Sequence, residues 1–354
     1  MSHLNSRKTV STAVSIMASV LVGCAAATGS SASPADNTSV ASPSEVASSE
    51  PSIDAGGLAG RIAFNRGDTS EGAAVAYTVG PDGTNERRLV PDSTAERPTW
   101  SPDGTEIHVF CCDDGMAAHF VDPATGEVVR ALQQPDPSLE ISCGGSWSPD
   151  GERISCEGFG VEDPSLNGIY TIRTSDGGDL ARVTSNPDGF DTPGAFSPDG
   201  ERLVFTRFVN DEPVGVFVTQ LDGSGLVQVS PSDLVLDDTG FAGSWSPDGS
   251  HILFVGRTGE DQHKGIWIVG ADGSSPHPFE MTPACGGSLS EASSAGCYSP
   301  DWSPDGSMIV FTRSGSDGET ENIYIVNADG TGLRQVTNGG ADDSPDWGLP
   351  PGDG

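Results

Sequence analysis

The tetrapeptide Ser-Pro-Asp-Gly recurs five times, at residues 101–104, 148–151, 197–200, 246–249 and 303–306. Each copy stands directly behind an aromatic residue: Trp100, Trp147, Phe196, Trp245 and Trp302. A sixth, degenerate copy, Pro345-Asp346-Trp347-Gly348, lies near the end of the chain. From aromatic to aromatic the steps are 47, 49, 49, 57 and 45 residues. A fixed period of this size marks a repeat architecture, and about 45 residues is what a four-stranded propeller blade needs.

The chemistry of one unit agrees with that. In Pro-Asp-Gly, proline presets φ, aspartate bonds back to the backbone and glycine accepts φ > 0, so each copy is a tight turn. Short β-rich runs follow, such as Leu203-Val204-Phe205 and Val216-Phe217-Val218, then a second glycine turn and a short closing run such as Leu333-Arg334-Gln335-Val336. The order strand, turn, strand, strand, turn, strand is a four-stranded meander. With 47 glycines and 26 prolines spread along the chain, no long helical window survives. The first repeat, from Arg61 on, lacks an innermost strand, whereas residues 344–347 form one without a partner. Pairing them removes two exposed sheet edges. The expected fold is all-β: a six-bladed β-propeller of four-stranded antiparallel blades over residues 58–348, its ring closed by pairing of the N- and C-terminal strands. Residues 349–354 form a short tail.

Residues 1–23 read as an address. Arg7 and Lys8 form a positive n-region, and the apolar stretch that follows is too short and too mildly hydrophobic to span a membrane. It ends in Leu21-Val22-Gly23-Cys24, which resembles the bacterial lipobox. That resemblance implies cleavage before Cys24 and attachment of acyl chains to it, several chains anchoring a protein where one does not. An ordinary secretory leader that contains a cysteine is the alternative. Residues 24–57, rich in Ala, Ser and Pro without apolar periodicity, are expected to be a flexible tether. The chain is thus expected to be exported and lipid-anchored on the outer face of the cell membrane, or of an outer membrane where there is one.

The copy over residues 300–337 carries Pro-x-Trp-Ser-Pro-Asp-Gly, then Ile-Tyr-Ile-Val-Asn-Ala-Asp-Gly, then Leu-Arg-Gln-Val-Thr. This pattern resembles the TolB-like (WD40-like) propeller repeat, and the resemblance extends over roughly residues 60–348. It implies a six-bladed propeller. The functions it implies range from scaffolds that bind envelope proteins and lipoproteins that tune membrane sensors to the substrate-gating halves of peptidases. Only six residues follow Gly348, so a hydrolase domain of the peptidase kind is not part of this sequence.

Charge and site chemistry narrow these choices. There are 51 acidic and 17 basic residues, a formal net charge of −34, which repels nucleic acid and anionic headgroups. No Gly-x-Ser-x-Gly elbow is present, and the six histidines are not at metal-ligand spacing. The reading is a non-catalytic protein-binding or scaffolding module at the cell envelope, monomeric, engaging an envelope protein or the extracytoplasmic part of a sensor and touching the membrane only through its anchor. The alternative is a lyase-like or sensing propeller that uses its channel for a small molecule or metal. The candidate binding face comprises Glu96, Asp191, Asp237, Asp238, Asp342 and Asp343 near the channel, with Asp113, Asp114, Glu162, Asp163, Asp211, Glu212, Glu319 and Glu321 further out. Such a convergence of oxygens suits a basic peptide or Ca²⁺, though no cofactor is required. A solvated acidic rim without a dedicated ligand is the plainer reading.

Apart from Cys24 there are six cysteines, and an even number in an exported chain points to disulfides. Cys285 and Cys297 bracket the longest inter-blade loop and are expected to pair. The pairing of Cys111, Cys112, Cys143 and Cys156 does not follow from the sequence.

Overall fold

A computed structural model describes residues 59–68, 73–90, 95–111, 115–236, 243–257, 265–281, 285, 296–315 and 320–349. Six antiparallel sheets form the blades. Blade 1 joins Asp342–Gly348, Arg61–Asp68, Ala73–Val79 and Arg87–Arg88 in that order from the inside out. Blade 2 is Ala95–Trp100, Ile107–Cys111, Ala118–Val121 and Val128–Leu132. Blade 3 is Leu139–Ser142, Arg153–Gly160, Gly168–Arg173 and Ala181–Arg182. Blade 4 is Gly189–Phe196, Arg202–Val209, Glu212–Gln220 and Val227–Gln228. Blade 5 splits its inner strand into Val235–Leu236 and Ser244–Trp245, followed by His251–Arg257, Gly265–Gly270 and His277–Pro278. Blade 6 is Cys297–Trp302, Met308–Ser314, Glu321–Asn327 and Arg334–Gln335.

The expected closure is present. The last strand lies inside the first, with Ile62 opposite Trp347 and Arg66 opposite Asp342. Because alternate residues of a strand face opposite ways, each blade feeds two apolar seams. Ala63 joins Trp100, Ile107 and Val109 between blades 1 and 2, while Ile62 and Phe64 join Val310, Ile325 and Trp347 between blades 6 and 1. The motif aromatics are all buried in these seams, from Trp245 at 5% exposure to Trp147 and Trp302 at 8%.

The Ser-Pro-Asp-Gly turns explain their own sequence. In the blade 5 copy, Gly249 N–H donates to the Ser246 carbonyl at 2.8 Å, and Ser246 Oγ donates to Asp248 Oδ1 at 2.6 Å. The same carboxylate oxygen accepts from Ser250 N–H and Oγ, and Gly249 takes φ +70°. Those hydroxyl and backbone donors hold the Asp248 carboxyl down at about 2. Its counterparts Asp103, Asp150, Asp199 and Asp305 are lowered as well.

The second glycine turn of a blade presses on its neighbour. Gly330 has φ +80°, and a Cβ there would sit 1.9 Å from the Glu280 carbonyl oxygen of blade 5. G330A is therefore expected to cost roughly 2 kcal/mol or more, read as a drop in thermal midpoint of several degrees.

Two disulfides are formed among the described residues. Cys285–Cys297 is the expected pair, and Cys143–Cys156 is the pair the sequence left open. Cys24, Cys112 and the Cys111 side chain lie outside the described residues, as do the leader, the tether and most of the tail.

Candidate functional site

The six inner strands surround a cavity of about 520 Å³ on the ring axis, lined from every blade. The residue just before each motif aromatic reaches it: Thr99, Ser146, Ala195, Ser244, Asp301 and Asp346. The wall is uneven. Blades 3 to 5 contribute small residues such as Gly144, Gly194 and Gly243, whereas blades 6, 1 and 2 contribute Glu321, Asp301, Asp343, Asp346 and Glu96. Arg97 lies among them at the blade 2 wall with φ 48°, on a β-bulge that separates the Glu96 and Thr99 pairings. Bulges of this kind re-aim side chains beside functional sites.

Two of these carboxyls tie the ring together. Asp346 Oδ2 accepts from Trp100 N–H at 2.8 Å, and Asp301 accepts from Trp347 N–H at 3.1 Å and from Ser244 Oγ at 2.6 Å. Each bond crosses from one blade to another, and Phe196 N–H repeats the pattern on Ser146 Oγ at 3.0 Å. Burial pushes Asp346 well above the usual carboxylate range, and the neighbouring Asp301 pushes it further. Burial raises Asp301 too, opposed by its bonds from Ser244 and the Trp347 backbone. Two half-buried carboxyls that repel each other resist ionising together, so this arc is less negative than its residue list suggests.

The structure divides the sequence-derived binding face. Glu96 and Asp343 line the cavity, and Asp343 also accepts from Thr312 Oγ1 at 3.0 Å. Glu321, expected further out, lines it as well. Asp191 and Asp342 do not present free carboxylates: Asp191 is 1% exposed and paired with Arg207 at 2.8 Å, and Asp342 is 0% exposed and paired with Arg66. Asp237 and Asp238 lie outside the described residues, together with Asp113, Asp114 and Glu319. Asp301 and Asp346 escaped the sequence reading because they sit inside the repeat motif. The signal was there: the equivalent positions hold Thr, Ser, Ala and Ser in the other four blades. Among the described residues, no group of three or more His, Cys, Asp or Glu side chains is placed to hold a metal ion.

No protein-family model matches the chain. The TolB homolog of Chlorobaculum tepidum is 30% identical over 125 residues, which is 35% of this chain and 24% of that protein. The crystal structure of TolB from Acinetobacter baumannii superposes with a TM-score of 0.60 at 19% identity, over 81% of this chain and 66% of that one. The chain shares the six-bladed β-propeller fold of TolB. The same fold recurs in an oligogalacturonate lyase in complex with manganese, at a TM-score of 0.53 and 16% identity, over 79% of this chain and 74% of the lyase. The match to the curated TolB homolog covers less than a quarter of that protein, so partner and activity are argued below from this chain's own residues.

Proposed function

We propose that this TolB-like propeller is a non-catalytic protein-binding module, exported and anchored through lipid on Cys24, whose acidic channel mouth receives a basic segment of an envelope protein or of an extracytoplasmic sensor domain. The observation that carries this is the uneven channel wall. Glu96, Asp343 and Glu321 stand on one arc of a 520 Å³ opening, facing the glycines and small residues of blades 3 to 5. A lysine or arginine side chain entering there meets oxygens on one arc, while Arg97, lying beside Gly144, places a positive charge where blades 2 and 3 meet and steers the incoming cation toward that arc. Opposite charge across an interface speeds encounter and sets specificity. The disulfides Cys143–Cys156 and Cys285–Cys297 support an oxidising compartment and hence export.

The test is affinity capture from native membranes with the full-length chain, followed by crosslinking mass spectrometry. The expected result is a partner whose lysines crosslink to Glu96, Asp343 or Glu321. Crosslinks that avoid the channel mouth would refute the assignment of the site.

The fold shared with a lyase that holds manganese keeps a second reading in play, a metal-assisted channel. Thermal melting with and without Mn²⁺ or Ca²⁺ separates the two. At a hundredfold excess over its dissociation constant, a bound ion stabilises by about 2.7 kcal/mol, a rise of several degrees. The binding-module reading predicts no such rise.

A further inference from the structure

The repeat leaves one aromatic cluster unexplained. Counting five residues on from the first core position of each second strand (Ile62, Ile107, Ile154, Leu203, Ile252, Ile309) gives Gly67, Cys112, Phe159, Phe208, Arg257 and Ser314. Phenylalanine occurs there only in the adjacent blades 3 and 4. Both rings lie toward the end of the ring opposite the Ser-Pro-Asp-Gly turns, and the inner strand of blade 4 adds Phe190 between them. Phe190 stacks on Phe208 at 4.5 Å and 8°, and Phe159 meets Phe190 at 6.1 Å. Phe208 is buried and anchors the stack, while Phe159 and Phe190 remain partly exposed. Val161, two residues beyond Phe159, is 63% exposed. Packing of the propeller requires none of these exposed surfaces.

Carboxylates frame this patch. Glu140 pairs across from Phe159, Glu162 and Asp163 follow Val161, Asp188 precedes the Phe190 strand, and Asp211 and Glu212 turn the hairpin beyond Phe208; all six are exposed. The two arginines of the region are engaged, Arg207 with Asp191 and Arg182 with the Ser165 and Asn167 carbonyls. The backbone is set in advance. Asn210 and Asp211 both have φ > 0 in a two-residue turn, and Asp163 Oδ1 accepts from Ser165 N–H at 3.0 Å to cap a 3₁₀ turn. An apolar centre inside a charged rim on rigid backbone is the anatomy of an interface anchor.

We infer that the exposed end of blades 3 and 4, around Phe159, Val161 and Phe190, docks a segment of a partner protein that presents an apolar side chain between lysines or arginines. The rim decides the occupant. A second copy of a chain with net charge −34 would bring like charge against it, and so would an anionic lipid surface. This rests on the protein-binding reading and adds a second contact away from the channel.

The test measures binding of the full-length chain to a fluorescein-labelled synthetic peptide with a central Trp-Leu pair flanked by lysines, and to the same peptide flanked by glutamates. The lysine peptide should bind and the glutamate peptide should not. V161E, at a position with little packing to lose, and F190S should each weaken the lysine peptide roughly tenfold or more. Absence of binding would overturn the inference. So would binding that V161E and F190S leave unchanged, since that is charge attraction alone. In the membrane capture, a partner crosslinked at the channel mouth and undisturbed by V161E would overturn this docking site while leaving the binding-module reading intact.

Discussion

A chain cut after Gly340 should no longer form a cooperative ring. The cut removes Asp342–Gly348, the inner strand of blade 1, and leaves the Arg61–Asp68 strand with an unpaired edge. It withdraws Trp347 from the seam with Ile62, Phe64 and Met308, a loss on the scale of about 3–5 kcal/mol for a buried aromatic. It also removes Asp346 from Trp100 N–H and Asp342 from Arg66. Even with incomplete additivity the sum rivals the whole stability of a typical domain, about 5–15 kcal/mol. Near-ultraviolet circular dichroism should lose its fixed aromatic signal, and size-exclusion chromatography should show expansion or association. A sharp melting transition close to that of the intact chain would refute velcro closure as the source of cooperativity. R66M isolates one element of it. The Asp342 carboxylate, 0% exposed, would be left without its cation, at a cost of about 3–5 kcal/mol. The double variant R66M/D342N should recover part of that loss.

The second large effect is a dependence on pH centred on His108. This side chain is fully buried in the second strand of blade 2, and neither ring nitrogen has a hydrogen-bond partner among the described residues. Desolvation, aided by His119, pushes its pKa down to about 3, against 6.5 for an ordinary histidine. Below 6.5 the unfolded chain takes up a proton that the folded chain refuses, so stability is lost as pH falls from 6.5 toward 3. Each pH unit in that window removes about 1.4 kcal/mol. Between pH 7 and pH 4.5 the loss attributable to His108 is about 2–3 kcal/mol. Asp301 and Asp346, with raised values, act in the opposite sense and gain stability over the same fall. The informative quantity is therefore the difference between the wild type and H108L. H108L should melt at or above the wild type at pH 7, because it also removes two unsatisfied polar atoms. Its advantage should widen on acidification. Parallel pH profiles would show that His108 does not stay neutral in the fold.

Much of this molecule was legible because the repeat states its own geometry. The aromatic marks the inner strand, Ser-Pro-Asp-Gly marks the hairpin, and the missing strand at one end matches the spare strand at the other. What escaped depended on register. Asp191 and Asp342 look like any loop carboxylate until pairing sets them directly opposite Arg207 and Arg66. Cys143 and Cys156 flank a Ser-Pro-Asp-Gly turn, and once Ser142 is known to face Glu157, the next residues inward are these two cysteines. The acidic pair Asp301 and Asp346 was hidden for another reason. Aspartate inside a turn motif looks accounted for, yet these two precede the aromatic and face the axis. The Phe159 and Phe190 cluster could have been found by aligning the blades, because it breaks a position that the other blades leave without an aromatic.

Charge reversal at the acidic channel mouth distinguishes a protein-binding site from a solvated acidic rim. Glu96 is exposed, and Asp343 lines the same cavity. E96K and D343K can therefore be compared with the wild type for the quantity of partner recovered from native membranes, at matched melting temperature and at two salt concentrations. Both reversals should lower recovery at least roughly tenfold at low salt, and raising salt should lower wild-type recovery in the same direction. Recovery of the same partner in equal amount by the wild type and both reversals would rule out binding at the channel mouth.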